Sequence, residues 1–336
     1  MCFLFIYTTK VAITLTLSKK NDIICASKGG DMMSPINGIN PNKFDYFPLE
    51  EYIDKIKVED YVFEHMEDTN KEFDKYLKKL SKYDNYAVIY YFIDSLSKEM
   101  KASQAIEHHY KTTHDIISKD VFFNTLQMSN AQIKRLHKFA YPDGDYEYRS
   151  SEVRVSKMLP SGKEEIYWWG AKSHDVKPFV DDFIKFYKNN SLSILNTNPF
   201  LKSALAHLLF VRIHPFSDGN GRTARLIHNI SFTESINKIY GMNLKICPLN
   251  LSQNILLNQP TYAKRINNIY FDLDHNSNEE INKWFDFMLN MVDDQLYFSM
   301  NRISNLEKSF NNITKMKYTD DDKVFIEKAS KMKIKV

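Results

Sequence analysis

The run His214-Pro215-Phe216-Ser217-Asp218-Gly219-Asn220-Gly221-Arg222-Thr223-Ala224-Arg225 puts a histidine, a carboxylate, a glycine-framed asparagine and two arginines within twelve residues. Upstream, Asn198 is placed to cap a helix with Pro199 at its first position. Leu201, Ala204, Leu205, Leu208 and Leu209 then recur at helical steps, an apolar stripe for burial. A residue before proline is pushed out of the α region, so this helix is expected to stop near His214. A second helix is expected from Arg222, with Ala224, Ile227, Ile230 and Ile236 on its apolar face and Gly241 at its C-terminal cap.

Between the two helices, Asp218-Gly219-Asn220-Gly221 reads as a tight loop whose glycines let backbone N–H groups approach an anion. Such a loop at a helix N-terminus is a ready anion site. Arg222 and Arg225, three residues apart, share one helix face and can both point at phosphates. Taken singly, each part is commonplace: a histidine before proline is usually a capping or core residue, and Asp-Gly or Asn-Gly is usually a turn. Together they indicate an anion or nucleotide site with a histidine base.

The run also resembles the signature of the Fic family, His-Pro-Phe-x-Asp/Glu-Gly-Asn-Gly-Arg-x-x-Arg, with every fixed position matched. The resemblance implies transfer of AMP from ATP to a Ser, Thr or Tyr hydroxyl of a target protein. It makes His214 the general base and Asp218 the holder of Mg²⁺ against the α- and β-phosphates. Gly219, Asn220 and Gly221 become the anion hole for the α-phosphate; Arg222 binds the β-phosphate region, Arg225 the γ-phosphate, and Phe216 packs inward to fix the loop. Relatives that phosphorylate their target carry Lys at the position of Gly221, so glycine here points to nucleotidyl transfer.

Many Fic proteins carry an inhibitory helix with the pattern Ser/Thr-x-x-x-Glu-Gly/Asn, which Ser103 to His108 resembles. The resemblance implies that Glu107 reaches Arg225 where the γ-phosphate must sit, with Ser103 on the same face. His108 departs from the family's Gly or Asn, and Ser95 with Glu99 satisfies the same loose spacing. Val153 to Met158 and Ile166 to Trp169 read as two strands about a turn at Pro160-Ser161-Gly162. In Fic proteins a hairpin here is a flap over the active site, which binds the target by adding a strand to an exposed edge.

The remaining composition sets bounds. Hydrophobic content of 43% supports a real core, and 9 Gly against 20 Tyr and 23 Phe argues against a loop-rich chain. Helical patterning over 49–56, 73–80, 86–96 and 281–298 makes the fold mainly α, and the resemblance implies a Fic-type helical domain with a small β-hairpin flap. A net charge of +3 is no nucleic-acid footprint, and neither nucleic acid nor membrane is expected as a partner. Three cysteines form no metal set and no disulfide framework, which suits a cytoplasmic protein. Asp272, Asp274 and Asn276 begin like a calcium loop, but Ser277 and Lys283 stand where glycine and glutamate are required.

Residues 1–33 are expected to be a leader outside the fold, Met32 or Met33 being a sensible start, with a signal anchor as the alternative. The expected division is an N-terminal helical region at 34–110 containing the inhibitory helix, a core domain at 111–300 and a helical tail at 301–336. The overall expectation is an ATP- and Mg²⁺-using protein adenylyltransferase held back by Glu107. Its partner is a target protein along the flap, with self-modification and a homodimer open. Two rivals remain: removal of AMP by a water that Glu107 positions, and a non-catalytic ATP sensor.

Overall fold

The computed structural model describes residues 23–26, 44–83, 85–107, 128–158, 161–189, 193–244 and 246–303. In chain order the elements are β1 (Ile23–Ala26), α1 (Leu49–Asp54), α2 (Asp60–Leu80), α3 (Asn85–Ile106) and α4 (Asn130–Ala140). After them come β2 (Arg154–Met158), β3 (Glu164–Trp169), a 3-10 turn at Ser173–Asp175, α5 (Val176–Lys188) and α6 (Ile194–Thr197). The chain continues with α7 (Pro199–Ile213), α8 (Asn220–Tyr240), α9 (Ser252–Leu257), α10 (Gln259–Asn267) and α11 (Asn278–Ile303). Most of the expected leader and tail falls outside the described residues, but Ile23–Ala26, within the segment expected to lie outside the fold, pairs with β2. No described helix is long and apolar enough to cross a membrane.

α7 is the axis of the fold. All its residues except Lys202 are buried, as befits a helix apolar on every side. Asn198 Oδ1 accepts from the N–H groups of Phe200 and Leu201, both at 3.0 Å, so the expected cap forms with Pro199 at the first position. The helix stops at Ile213, and His214 turns left-handed with φ 53°. The next helix starts at Asn220, two residues before the expected Arg222. Gly219, at φ 73°, turns the chain straight into the helix, and Thr223 N–H donates to its carbonyl at 3.0 Å. Gly241, left-handed at φ 62°, ends α8 as expected.

α7 and α8 pack against each other, α11 crosses α7, and α2 lies along α11. Trp284 of α11 is fully buried and donates its indole N–H to the Ala204 carbonyl at 3.0 Å. α3 lies against α8 and α9. That placement brings its C-terminal turn beside the start of α8.

β2 and β3 form the expected antiparallel hairpin, with Gly162 at φ 79° in its turn. Register slips once, between Val155 and Ser156. β1 pairs antiparallel with the other edge of β2, giving the strand order β1-β2-β3. Trp168 anchors the hairpin to the core: it is 6% exposed and stacks under the Arg212 guanidinium at 4.9 Å.

Candidate active site

His214 is the one described non-glycine residue with positive φ, a conformation that costs roughly 1–2 kcal/mol for an L-residue. Its Nδ1 lies 3.1 Å from the Val211 carbonyl. That contact places the proton on Nδ1 and the ring's lone pair on Nε2. The ring meets Trp168 edge-on, centroids 5.1 Å apart. Burial pushes the His214 pKa down to about 3; the Val211 carbonyl pulls it up, and the Arg149 charge pushes it down again. The imidazole is therefore neutral throughout the physiological range, as a base must be.

The loop after it is closed from within. Phe216 is buried and stacks on His137 at 3.6 Å between centroids. The Asn220 side chain accepts from Phe216 N–H at 2.9 Å and donates to the Phe216 carbonyl at 2.8 Å. Asn220 thus serves the loop with its side chain, and only its backbone N–H is left for an anion. Asp218 is half-exposed at the mouth, its Oδ1 accepting from Gly219 N–H at 2.5 Å. No side chain caps the start of α8, so its first N–H groups keep their capacity for an anion.

Two buried cations face this end. Arg222 lies 4.1 Å from the Tyr141 ring and 3.7 Å from Asp218, and its Nε and Nη2 have no hydrogen-bond partner among the described residues. Arg225 is 2% exposed and also has an unpartnered Nη1. Unpaired buried guanidinium donors are costly, and a polyanion is the natural partner. Both arginines line a narrow cleft with Glu99, Ser103 and Gln104 of α3 and Asn229 of α8.

α3 supplies the counter-charge. Glu107 Oε1 accepts from Arg225 Nη2 at 2.8 Å, while Ser103 takes Arg225 Nε on its hydroxyl and Nη2 on its carbonyl, each at 2.8 Å. A Cβ at Gly221 would stand 2.3 Å from Glu107 Oε1, so a side chain there would push the carboxylate out of this position. The competing Glu99 goes elsewhere: it is buried and accepts from Asn229, from Ser252 N–H and from the Ser252 hydroxyl. His108 lies outside the described residues. Ser103 and Glu107 thus meet Gly221 and Arg225 at the start of α8, at the end of the loop that follows His214.

Sequence reading missed several participants. His137 not only stacks on Phe216 but contacts the Thr223 hydroxyl at 3.1 Å. Gln259 Nε2 donates to the Ile106 carbonyl at 2.9 Å and tethers the last turn of α3. Arg149 donates from Nε to the His214 carbonyl at 2.7 Å. None of them belongs to a local pattern; each acts across a long stretch of chain.

For a divalent cation, the donor set is one open carboxylate, Asp218, beside two arginines, with no cluster of three ligating side chains among the described residues. That suits Mg²⁺, which retains waters and is shared between one or two carboxylates and substrate phosphates.

Residues 127–231 match the Fic/DOC family. The chain is 34% identical over 87 residues to protein adenylyltransferase fic-1 of Caenorhabditis elegans, covering 26% of this chain and 15% of that protein. It is 35% identical over 96 residues to protein adenylyltransferase Fic of Nematostella vectensis, covering 29% and 20%. The match therefore spans a fifth or less of those relatives' length. In fold, the chain is similar to a Fic family protein from Desulfovibrio desulfuricans G20, with TM-score 0.52, 15% identity, and coverage of 79% of this chain and 78% of that one.

Proposed function

We propose that this chain, which belongs to the Fic/DOC family through residues 127–231, transfers AMP from ATP to a hydroxyl of a target protein and is held back by Glu107. The observation that carries this reading is the pairing of a neutral base, His214, with two buried arginines that keep unpartnered donors toward the bare start of α8.

In this reading Arg222 and Arg225 take the β- and γ-phosphates, and the N–H groups of Asn220 and Gly221 the α-phosphate. Asp218 would hold Mg²⁺, which when bound neutralises phosphate charge. His214 Nε2 takes the proton of the target hydroxyl. The freed oxygen bonds to the α-phosphorus as the bond to pyrophosphate breaks. The Nδ1 contact with Val211 and the Trp168 edge hold the ring for that step. A target strand adding to the hairpin meets the free edge of β3, because β1 covers β2.

Glu107 occupies the donors that the γ-phosphate needs, so ATP binds poorly aligned until the carboxylate leaves. The test is self-labelling with α-labelled ATP: weak in the parent, raised by Glu107→Gly, abolished by adding His214→Ala. Labelling unaffected by His214→Ala would remove the base assignment. Removal of AMP is the second reading, favoured by the partial exposure of Glu107 at the cleft mouth, where it can orient a water. It gains if labelled protein loses AMP only while Glu107 is present. A Glu107→Gly protein that binds ATP tightly and labels nothing supports a sensor instead.

A further inference from the structure

The carbonyl end of α7 carries an unusual demand. The last carbonyls of a helix have no partner within it, and here they end in a buried left-handed histidine that the reaction needs in one place. Arg149, itself 6% exposed, answers from a distant segment. Its Nε donates to the His214 carbonyl at 2.7 Å, and its Nη2 reaches the carbonyls of Ala171 and, at 3.5 Å, Ile213. Its Nη1 donates to the Ser151 carbonyl at 2.8 Å, and its backbone N–H to the Pro215 carbonyl at 3.0 Å.

These acceptors come from three places. Ser151 lies just before β2, Ala171 lies just after β3, and the others form the turn that carries the base. One guanidinium therefore ties both roots of the hairpin to the backbone of His214. Gly170 completes the joint: a Cβ there would stand 2.9 Å from both His214 Cβ and Arg149 Nη2. A cation that merely caps a helix satisfies carbonyls of that helix alone. Arg149 bridges separate segments with a planar fork, a geometry lysine cannot reproduce.

We propose that Arg149 is a positioning residue for the transfer reaction, fixing the left-handed backbone of His214 and the roots of the β2–β3 hairpin as one unit. The proposal rests on the adenylyl-transfer reading above. It makes alignment of the base and alignment of the target strand a single property, lost together. The donations of Arg149 described above all go to backbone carbonyls, so on this proposal ATP binding does not depend on it.

The test uses the full chain with Glu107→Gly as parent and compares Arg149→Lys and Arg149→Met. Arg149→Lys lowers kcat for labelling on the order of 10- to 100-fold, as expected for a misplaced catalytic group, with the KM for ATP unchanged; Arg149→Met lowers it further. A second readout needs no activity. The His214 Cε1–H signal, assigned by its loss in His214→Ala, carries a ring-current shift from Trp168. In Arg149→Lys it moves toward the value of a free histidine, while His207 and His228, buried elsewhere on α7 and α8, keep theirs. An unmoved His214 signal, or an ATP KM that rises with the fall in kcat, overturns the proposal. If the parent labels nothing, adenylyl transfer fails and the His214 signal alone decides about Arg149. If Arg149→Met does not melt cooperatively, Arg149→Lys decides; if both fail to melt, Arg149 is a folding residue and the proposal is wrong.

Discussion

Glu99 lies on α3 and Glu107 two turns on, in the residue just past its end; each follows a serine by four residues, and their partners differ. Glu99 is buried and hydrogen-bonded by neutral donors, the Asn229 amide, Ser252 N–H and the Ser252 hydroxyl, and feels the Arg225 charge without a hydrogen bond to it. Burial raises its pKa, and those hydrogen bonds pull it partly back. Glu107 is part-exposed and meets a buried arginine that retains a spare donor. A carboxylate satisfied by neutral groups of its own fold has no competitor, so it fastens α3 to α8 and α9. A carboxylate on an underused cation can be displaced by any better anion. On the proposed reading this difference separates a structural glutamate from a gate, and it lies in the partners rather than in the spacing.

The largest effect tests whether the gated cleft is catalytic at all. In a Glu107→Gly background, His214→Ala is expected to cut labelling by roughly 10²- to 10⁴-fold, the usual worth of a positioned general base. Because burial holds the His214 pKa to about 3, the same background should show no acid limb from this residue between pH 5 and 8. A limb near pH 6.5 that vanishes with His214 would mean the ring is solvated in the working enzyme. Next in size is the gate. Glu107→Gly should tighten ATP binding and raise labelling by about 10- to 100-fold, within the usual range of a coupling between competing groups. Glu99→Gln should change neither. Equal effects of the two substitutions, measured by calorimetric ATP titration and by labelling, would break the contrast between the glutamates.

How far these roles could be read in advance depends on how local their chemistry is. Asn198-Pro199 and Gly241 announce helix ends because a cap is formed by residues within one turn. The residues from His214 to Arg225 announce a site because loop and helix N-terminus are contiguous. The Ser-x-x-x-Glu pattern fits Glu99 and Glu107 equally, since it cannot say which arginine or serine stands opposite. Arg149 and His137 carry no signal: their partners lie 65 and 86 positions away. The helix start at Asn220 was misplaced for a smaller reason, the left-handed turn of Gly219, which the glycine permits without requiring.

Stability separates the two glutamates in the other direction. Glu99→Ala strands the Ser252 and Asn229 donors in the interior and should cost on the order of 3 kcal/mol. Glu107→Ala takes the charged partner from buried Arg225, which keeps both Ser103 oxygens, and should cost about 1–2 kcal/mol. Urea melts of both decide it, and a larger loss at Glu107 would make the gate a structural clasp.

The smallest effect is in pH dependence, where Glu99 has to be told apart from His65. His65 joins α2 to α11, with Nδ1 2.7 Å from Asp286 and Nε2 2.8 Å from Asp293. Burial lowers its pKa, but the two carboxylates outweigh burial and the net shift is upward. Both raised pKa values give stability that is full at low pH and falls as pH rises through the folded value. The windows differ. The Glu99 loss begins above its ordinary value of 4.5, and the His65 loss above 6.5. Glu99→Gln should therefore flatten the acidic part of a Tm-against-pH curve and His65→Gln the part above neutrality. If His65→Gln leaves the upper part unchanged, its bridge between Asp286 and Asp293 is already lost in the native state near pH 7.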